Sequence, residues 1–459
     1  MDSKTYVARR EVLRRAVPDG AILIMGNDEA SRNYVDNVYP YRQDSHFLYY
    51  GGVSHPGLAM LIEPDGGAVL YGAPDHRDDV IWHGPHLTLA DRAEVAGAAA
   101  HADIGGLAEK MSSLRSAGVD VHYLPPYRAQ RRFALSRLLN VDPREVGAQT
   151  SLELVRAVVA QRSIKEECEI DEIEDALAVT AGMYRATMRA VAAGRSEAEL
   201  AAVHVAEAIS AGCGQAFSPI VTVHGEVLHN VTYENTLADG DLLLVDSGAE
   251  APSGYASDIT RTMPVSGRYD SRQRGIYEVV LAANAAAINA AAPGVTNREL
   301  HLLAARTVVS GLKDLGLMQG DVDAAVEAGA HAMFFVHGLG HMMGLDVHDM
   351  EDLGDVVGYE PGEERSSQFG LAYLRLARPL ESGFVITVEP GIYFIPALID
   401  RWQADGLHRE FICYDRVDDY RTFGGIRIED DVLVTDTGCR VLGPMIPKSV
   451  ADVETAMAK

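Results

Sequence analysis

The sequence predicts a mixed α/β chain of two domains, a smaller one over residues 1–161 and a larger one over residues 162–459. Three observations carry this. Up to about Gln161, apolar runs of strand length alternate with turn clusters. Beyond it, long segments with apolar residues at steps of three or four begin at capping boxes. The helix-helix-strand order of this second part then occurs twice, so it reads as two halves around a common sheet. With 459 residues, 47% apolar and 23% charged, the chain can fill two ordinary cores.

In the first part the runs Ala21–Met25, Leu58–Ile62 and Ala68–Tyr71 are strands, the last two separated by the turn cluster Pro64-Asp65-Gly66-Gly67. A helix is expected to start at the box Ser163-Ile-Lys-Glu166, to run on the apolar face of Ile170, Ile173, Leu177, Ala181, Tyr184, Met188 and Val191, and to stop at Gly194. The box Ser196-Glu-Ala-Glu199 starts another that ends near Gly212. Strand-like sequence follows to Met263. A helix from about Ser271 and one from the box Thr296-Asn-Arg-Glu299 then precede a second strand-rich region.

A formal net charge of -26, from 66 acidic and 40 basic residues, speaks against nucleic acid as a partner, because neutralising phosphates requires clustered Lys and Arg. The polar Met1–Val7 segment lacks the layout of a signal peptide, and no apolar run reaches the length of a membrane span. Cys168, Cys213, Cys413 and Cys439 lie far apart without a C-x-x-C pair, which fits a reducing cytoplasm better than a disulfide framework. The G-x-S-x-G, H-E-x-x-H and phosphate-loop signatures are missing from the chain.

The chemistry-bearing residues sit in a few apolar frames. Leu242-Leu-Leu-Val-Asp246-Ser-Gly delivers a carboxylate at the end of a strand, and Asp258 follows in Ser257-Asp258-Ile-Thr-Arg-Thr262. A hairpin centred on Pro252 would set Asp246 directly opposite Asp258. Two bare carboxylates at that spacing repel, unless a cation lies between them. His337-Gly-Leu-Gly-His341, Asp346-Val-His348-Asp349, Thr387-Val-Glu389-Pro-Gly and Arg427-Ile-Glu429-Asp430-Asp431 add further acids and imidazoles. Singly, each is an ordinary turn, cap or solvated residue. Together, Asp246, Asp258, Glu389 and Glu429 with His341 would balance two divalent cations, which lower the pKa of bound water. Mostly oxygen ligands favour Mn²⁺, with Co²⁺ or Zn²⁺ as alternatives.

These motifs, in this order, resemble the proline-specific metallopeptidases of the pita-bread fold, the aminopeptidase P and prolidase (Xaa-Pro dipeptidase) family. The resemblance extends to Tyr41–Gly51 and to Ile81-Trp82-His-Gly in the N-terminal part. It implies a pita-bread catalytic domain of pseudo-twofold halves behind a non-catalytic domain. It further implies that Asp258 and Glu429 bridge two metals, that Asp246 chelates one, and that His341 and Glu389 complete the other. Glu389 would handle a proton, and His348 or His337 would steady the oxyanion. His229 would lie around substrate and leaving group, with Arg427 holding its carboxylate neighbours in place. His224 is expected to be structural.

Arg375, in Leu374-Arg375-Leu-Ala-Arg378-Pro-Leu, resembles the prolidase arginine that binds a dipeptide's C-terminal carboxylate, and the insert Ile395–Phe423 is likewise prolidase-like. Dipeptides are therefore the expected substrates. The alternative is aminopeptidase P activity on longer peptides; a binding protein that keeps the fold without its ligands is the remote one. The segment before His229, Thr222-Val-His-Gly-Glu-Val, departs from better-known relatives. By resemblance the chain forms a homodimer or higher homo-oligomer, with Trp82 expected in the core and a cap over a partner's cleft as its alternative role.

Overall fold

The computed structural model describes residues 1–76 and 78–458. They form two compact units, one of Met1–Arg162 with the short segment Met350–Gly354, the other starting at Ser163 and resuming at Asp355.

The first unit is built on a five-stranded sheet in the order Ala100–Asp103, Ala68–Gly72, Ala59–Ile62, Ala21–Met25, Val121–Tyr123. The apolar runs of the sequence are its three central strands, paired antiparallel, while the two outer strands are parallel to their neighbours. Leu107, Met111, Leu114 and Leu135 from flanking helices cover Leu23, Leu61 and Tyr71 to make the core. The stretch Tyr41–Gly51 becomes the helix Ser45–Gly51, whose Asp44 carboxylate caps the Phe47 N–H at 2.9 Å and pairs with buried Arg131 at 2.8 Å. Trp82 is not in the core. It is 80% exposed on the five-residue helix Asp79–His83, too short to present a continuous inward face, and its neighbours Val80 and Ile81 are exposed too.

The second unit carries the repeated layout. Helices Glu167–Ala190 and Glu197–Ser210 pack together, as do Ser271–Ala290 and Asn297–Asp314. The first of these starts later than its expected box. Ser163 ends the preceding helix, Leu152–Ser163, and the reciprocal cap is Glu166 with Glu169, whose carboxylates satisfy the same free N–H groups a hydroxyl would. The boxes Ser196/Glu199 and Thr296/Glu299 are formed as expected.

A residue-level repeat also links the halves. Gly194-Arg-Ser196-Glu-Ala-Glu199 and Gly294-Val-Thr296-Asn-Arg-Glu299 both place a left-handed glycine, each with φ 86°, two residues before the capping hydroxyl. Each half then contributes strands. The first gives Ile220–Thr222, Leu242–Ser247 and Ile259–Pro264, the second Val385–Val388, Gly391–Tyr393, Gly425–Arg427 and Asp430–Val434. Along these inner strands almost every side chain is buried, so carboxylates placed there leave water altogether.

Candidate metal centre

The strands Leu242–Ser247 and Ile259–Pro264 run antiparallel with Asp246 opposite Thr260, not opposite Asp258. The expected register is thus off by two residues, because the turn centres on Ser253. Gly254, at φ 92°, donates its N–H to Ala251 O at 2.8 Å, and Ala251 donates to Tyr255 O at 2.9 Å. A shift of two is one full pleat, so Asp258 keeps the face of Asp246 and stands diagonal to it. Gly248 makes this crossing possible, since a Cβ there would lie 1.6 Å from Ser257 O. Buried Tyr184 ties both strands by donating to Val245 O and Ile259 O.

His337, His341 and His348 lie on a loop pinned at its end by a fully buried ion pair, Lys165 Nζ to Asp349 Oδ2 at 2.9 Å. Glu389 directly follows the strand Val385–Val388, its N–H bonded to Leu339 O at 2.8 Å, and Glu429 directly precedes Asp430–Val434. The His341 backbone N–H lies 3.1 Å from Thr387 Oγ1, and its Nδ1–H donates to Met342 O at 3.0 Å. That bond makes Nδ1 the donor and turns Nε2 toward the acids, 3.5 Å from Asp258 Oδ2 and 3.6 Å from Glu389 Oε1.

One ligand atom each from Asp258, His341 and Glu429 falls within 4.8 Å of the others, and all three residues are buried. Asp246 and Glu389 line the same cavity beside them. Burial, then the neighbouring Asp246 carboxylate, pushes Asp258 well above the usual carboxylate range; burial, then Asp258, does the same to Glu429. Glu389 is pushed up to about 7 by burial, although His341 and Arg427 pull it down. Asp258 Oδ1 is buried without a hydrogen-bond partner among the described residues. Mutually repelling acids, an imidazole nitrogen turned toward them and an orphaned carboxylate oxygen are a donor set that fits divalent cations.

Several supporting residues carry no sequence signal of their own. Thr260 Oγ1 donates to Glu429 Oε2 at 2.7 Å and accepts from Arg427 Nε at 3.0 Å. Arg427 also donates to Asp246 Oδ2 and to the Tyr393 hydroxyl at 2.8 Å. Tyr393 in turn lies 2.8 Å from His337 Nε2, whose Nδ1–H goes to Gly338 O at 2.7 Å. Burial pushes Tyr393 up to about 12 and pulls His337 down to about 3, so this imidazole is neutral and donates nowhere else. Asp431 Oδ2 accepts the Asp258 N–H at 3.0 Å, and fully buried Arg261 binds Glu429 O at 2.6 Å and Asp430 at 2.8 Å. Glu389-x-x-x-Tyr393 and the Thr260 between Asp258 and Arg261 lie inside the motifs, but only the folded geometry shows what they touch.

The cavity holds about 780 Å³. His229, His337, His348 and Arg375 line it with the acids and Arg427, and His348 stacks on His341 at 3.9 Å. His224 instead pairs with Glu226 at 3.0 Å.

A buried acid-and-imidazole cluster of this kind, on paired helix-helix-strand halves, defines a metal-dependent hydrolase. Residues 171–436 match the family model of metallopeptidase family M24, and residues 6–122 match the N-terminal domain of aminopeptidase P. The chain belongs to metallopeptidase family M24, on the pita-bread fold. It is 32% identical to a human Xaa-Pro dipeptidase, over 96% of this chain and 90% of that protein. It is 31% identical to an Xaa-Pro aminopeptidase of Haemophilus influenzae, over 98% and 96%. A zinc-substituted E. coli aminopeptidase P in complex with product superposes with a TM-score of 0.82 at 30% identity, covering 100% of this chain and 98% of that one. The chain is thus a peptidase whose family works with divalent metal. No helix among the described residues is long and apolar enough to cross a membrane.

Proposed function

We propose that this chain hydrolyses the bond between an N-terminal residue and a following proline, with Xaa-Pro dipeptides as its preferred substrates. The observation that carries the dipeptide preference is Arg375. It lines the same cavity as the acids, and its charge acts on both Glu389 and His337. A guanidinium there suits the free carboxylate of a dipeptide's proline, which a longer peptide replaces by a neutral amide.

Residues 162–459 do the chemistry and residues 1–161 are non-catalytic. Asp246, Asp258, His341, Glu389 and Glu429 hold two divalent cations, Mn²⁺ by preference with Co²⁺ or Zn²⁺ as substitutes. When bound, these supply Lewis-acid polarisation and a water of lowered pKa. Glu389 would be the group that moves a proton toward the leaving proline nitrogen. His337 has committed its only N–H to Gly338, so steadying the oxyanion falls to His348, while His337 and Tyr393 fix Arg427 against Asp246. His229, which lines the same cavity, contacts the substrate. The enzyme works as a homodimer or higher homo-oligomer in the cytoplasm.

A second reading, cleavage of longer peptides, is favoured by the whole-length likeness to aminopeptidase P structures. Rates on Xaa-Pro and Xaa-Pro-Yaa-Zaa decide between them. Arg375→Ala should lower dipeptide kcat/KM by about 10- to 100-fold, the worth of a charge-assisted pair, and leave longer peptides nearly unchanged. Undiminished dipeptide turnover in that variant removes the carboxylate clamp. Chelation should abolish activity and Mn²⁺ should restore it; activity indifferent to both would exclude metal catalysis.

A further inference from the structure

The cavity is bounded on one side by residues that none of the ligand motifs contain. Phe369 belongs to the loop that carries Arg375, and Arg401 lies on the helix Pro396–Asp405; both line the catalytic cavity. The same two residues line a second recess of about 360 Å³, whose walls include Trp402, His408 and Gly329. Phe369 therefore stands between the two spaces. Its ring lies edge-on to Tyr373 at 6.0 Å and to Trp402 at 5.9 Å, and the Arg401 guanidinium sits 5.9 Å from its centroid. Trp402 is buried and packs against His408 at 5.2 Å, so the ring is braced from behind.

We propose that Phe369 is the specificity-determining stop on the leaving-group side, and that the recess behind it is a latent subsite for the residue after proline, with Arg401 placed to meet that residue's carboxylate. This rests on the proposed reading that Arg375 takes the carboxylate of a dipeptide's proline. Chain added beyond proline must then pass the Phe369 ring. A recess of 360 Å³ falls at the lower end of the space small ligands occupy, enough for one residue once the ring is gone. Arg401 is exposed at the boundary of both spaces, where a guanidinium pairs with a carboxylate and has little attraction for an amide.

The test is a ratio measured on one preparation of metal-loaded enzyme, which cancels any inactive fraction. In Phe369→Ala and Phe369→Leu, kcat/KM for Ala-Pro-Ala relative to Ala-Pro should rise by about tenfold or more over wild type, chiefly through KM. Adding Arg401→Ala to Phe369→Ala should remove most of that gain for the free-acid tripeptide and little of it for the C-terminal amide. An unmoved ratio in both Phe369 variants overturns the stop. So does a change that follows the first residue instead, with Gly-Pro and Phe-Pro diverging while the length ratio holds. A gain that Arg401→Ala leaves intact on the free acid overturns the role of Arg401. A wild type that cleaves no Xaa-Pro dipeptide fails at the proposed function itself and takes the stop with it; dipeptide cleavage with unmoved ratios sinks the stop alone.

Discussion

Thr260 offers the cleanest way to ask whether the groups behind the acids set the affinity for metal. Its hydroxyl donates to Glu429 Oε2 at 2.7 Å and accepts from Arg427 Nε at 3.0 Å, and the residue is wholly buried. Thr260→Val keeps the β-branched shape that suits the strand and deletes only this hydroxyl. Two hydrogen bonds to charged groups are lost, each worth about 1.5–3 kcal/mol, and Arg427 Nε is left buried without its partner. Part of that loss is borne by the fold and part by the site. Outer-shell partners of this kind are worth about 10- to 100-fold in metal affinity, so divalent-metal binding should weaken by that factor and unfolding stability should fall by about 2 kcal/mol. Calorimetric titration of metal-free protein, alongside denaturant unfolding, measures both. A variant that unfolds at lower denaturant yet binds metal with wild-type affinity would refute the idea that Thr260 orients Glu429.

Three further expectations follow from buried titratable groups. In metal-free protein Asp258, Glu389 and Glu429 hold their protons to higher pH than in the unfolded chain, Glu389 up to about 7. The folded state then binds more protons, so stability should fall as pH rises from about 4 through 7; thermal melts with and without Mn²⁺ should diverge over that range, and parallel melts would contradict it. His301 is fully buried with both ring nitrogens unpartnered among the described residues, and burial pulls it down to about 3. The unfolded chain takes up this proton first, so stability drops as pH falls from about 6.5 toward 3; His301→Phe, beside Phe335, should flatten that limb and stabilise by about 1–3 kcal/mol in urea at pH 5. Lys165→Met removes the buried cation that faces the Asp349 carboxylate and should cost about 3–5 kcal/mol in chemical denaturation, much of it recovered by adding Asp349→Asn; equal losses in single and double variants would count against the ion pair.

What could be read from the chain follows from how local each feature is. The strands Ala21–Met25, Ala59–Ile62 and Ala68–Gly72 were legible because an apolar run between turn residues needs no partner to be recognised. The boxes at Ser196 and Thr296 were equally plain, since the cap and its acid are three residues apart. The box at Ser163 misled for the same reason: Glu166 and Glu169 do the same job, and only packing decides which set is used. The Asp246–Asp258 register missed by one pleat because a one-residue shift of the turn centre moves the register by two, and Gly254 rather than Pro252 determines that turn. Trp82, expected in the core, lies in solvent because its helix is too short to turn a face inward. Thr260, Tyr393 and Lys165 stayed silent because each acts on a residue far off in the chain, as Tyr393 does on His337 and Lys165 on Asp349.

The acids of the metal centre come from both halves of the repeat, Asp246 and Asp258 from one and Glu389 and Glu429 from the other. A cation held between them would be a rivet through a seam. Stripped of it, the acids facing each other across the joint must either hold protons or repel, so as pH rises the two halves have an electrostatic reason to part there first. Proteolytic nicking of chelated protein should accordingly begin in the connections flanking that seam, long before the helix pairs on either side are touched.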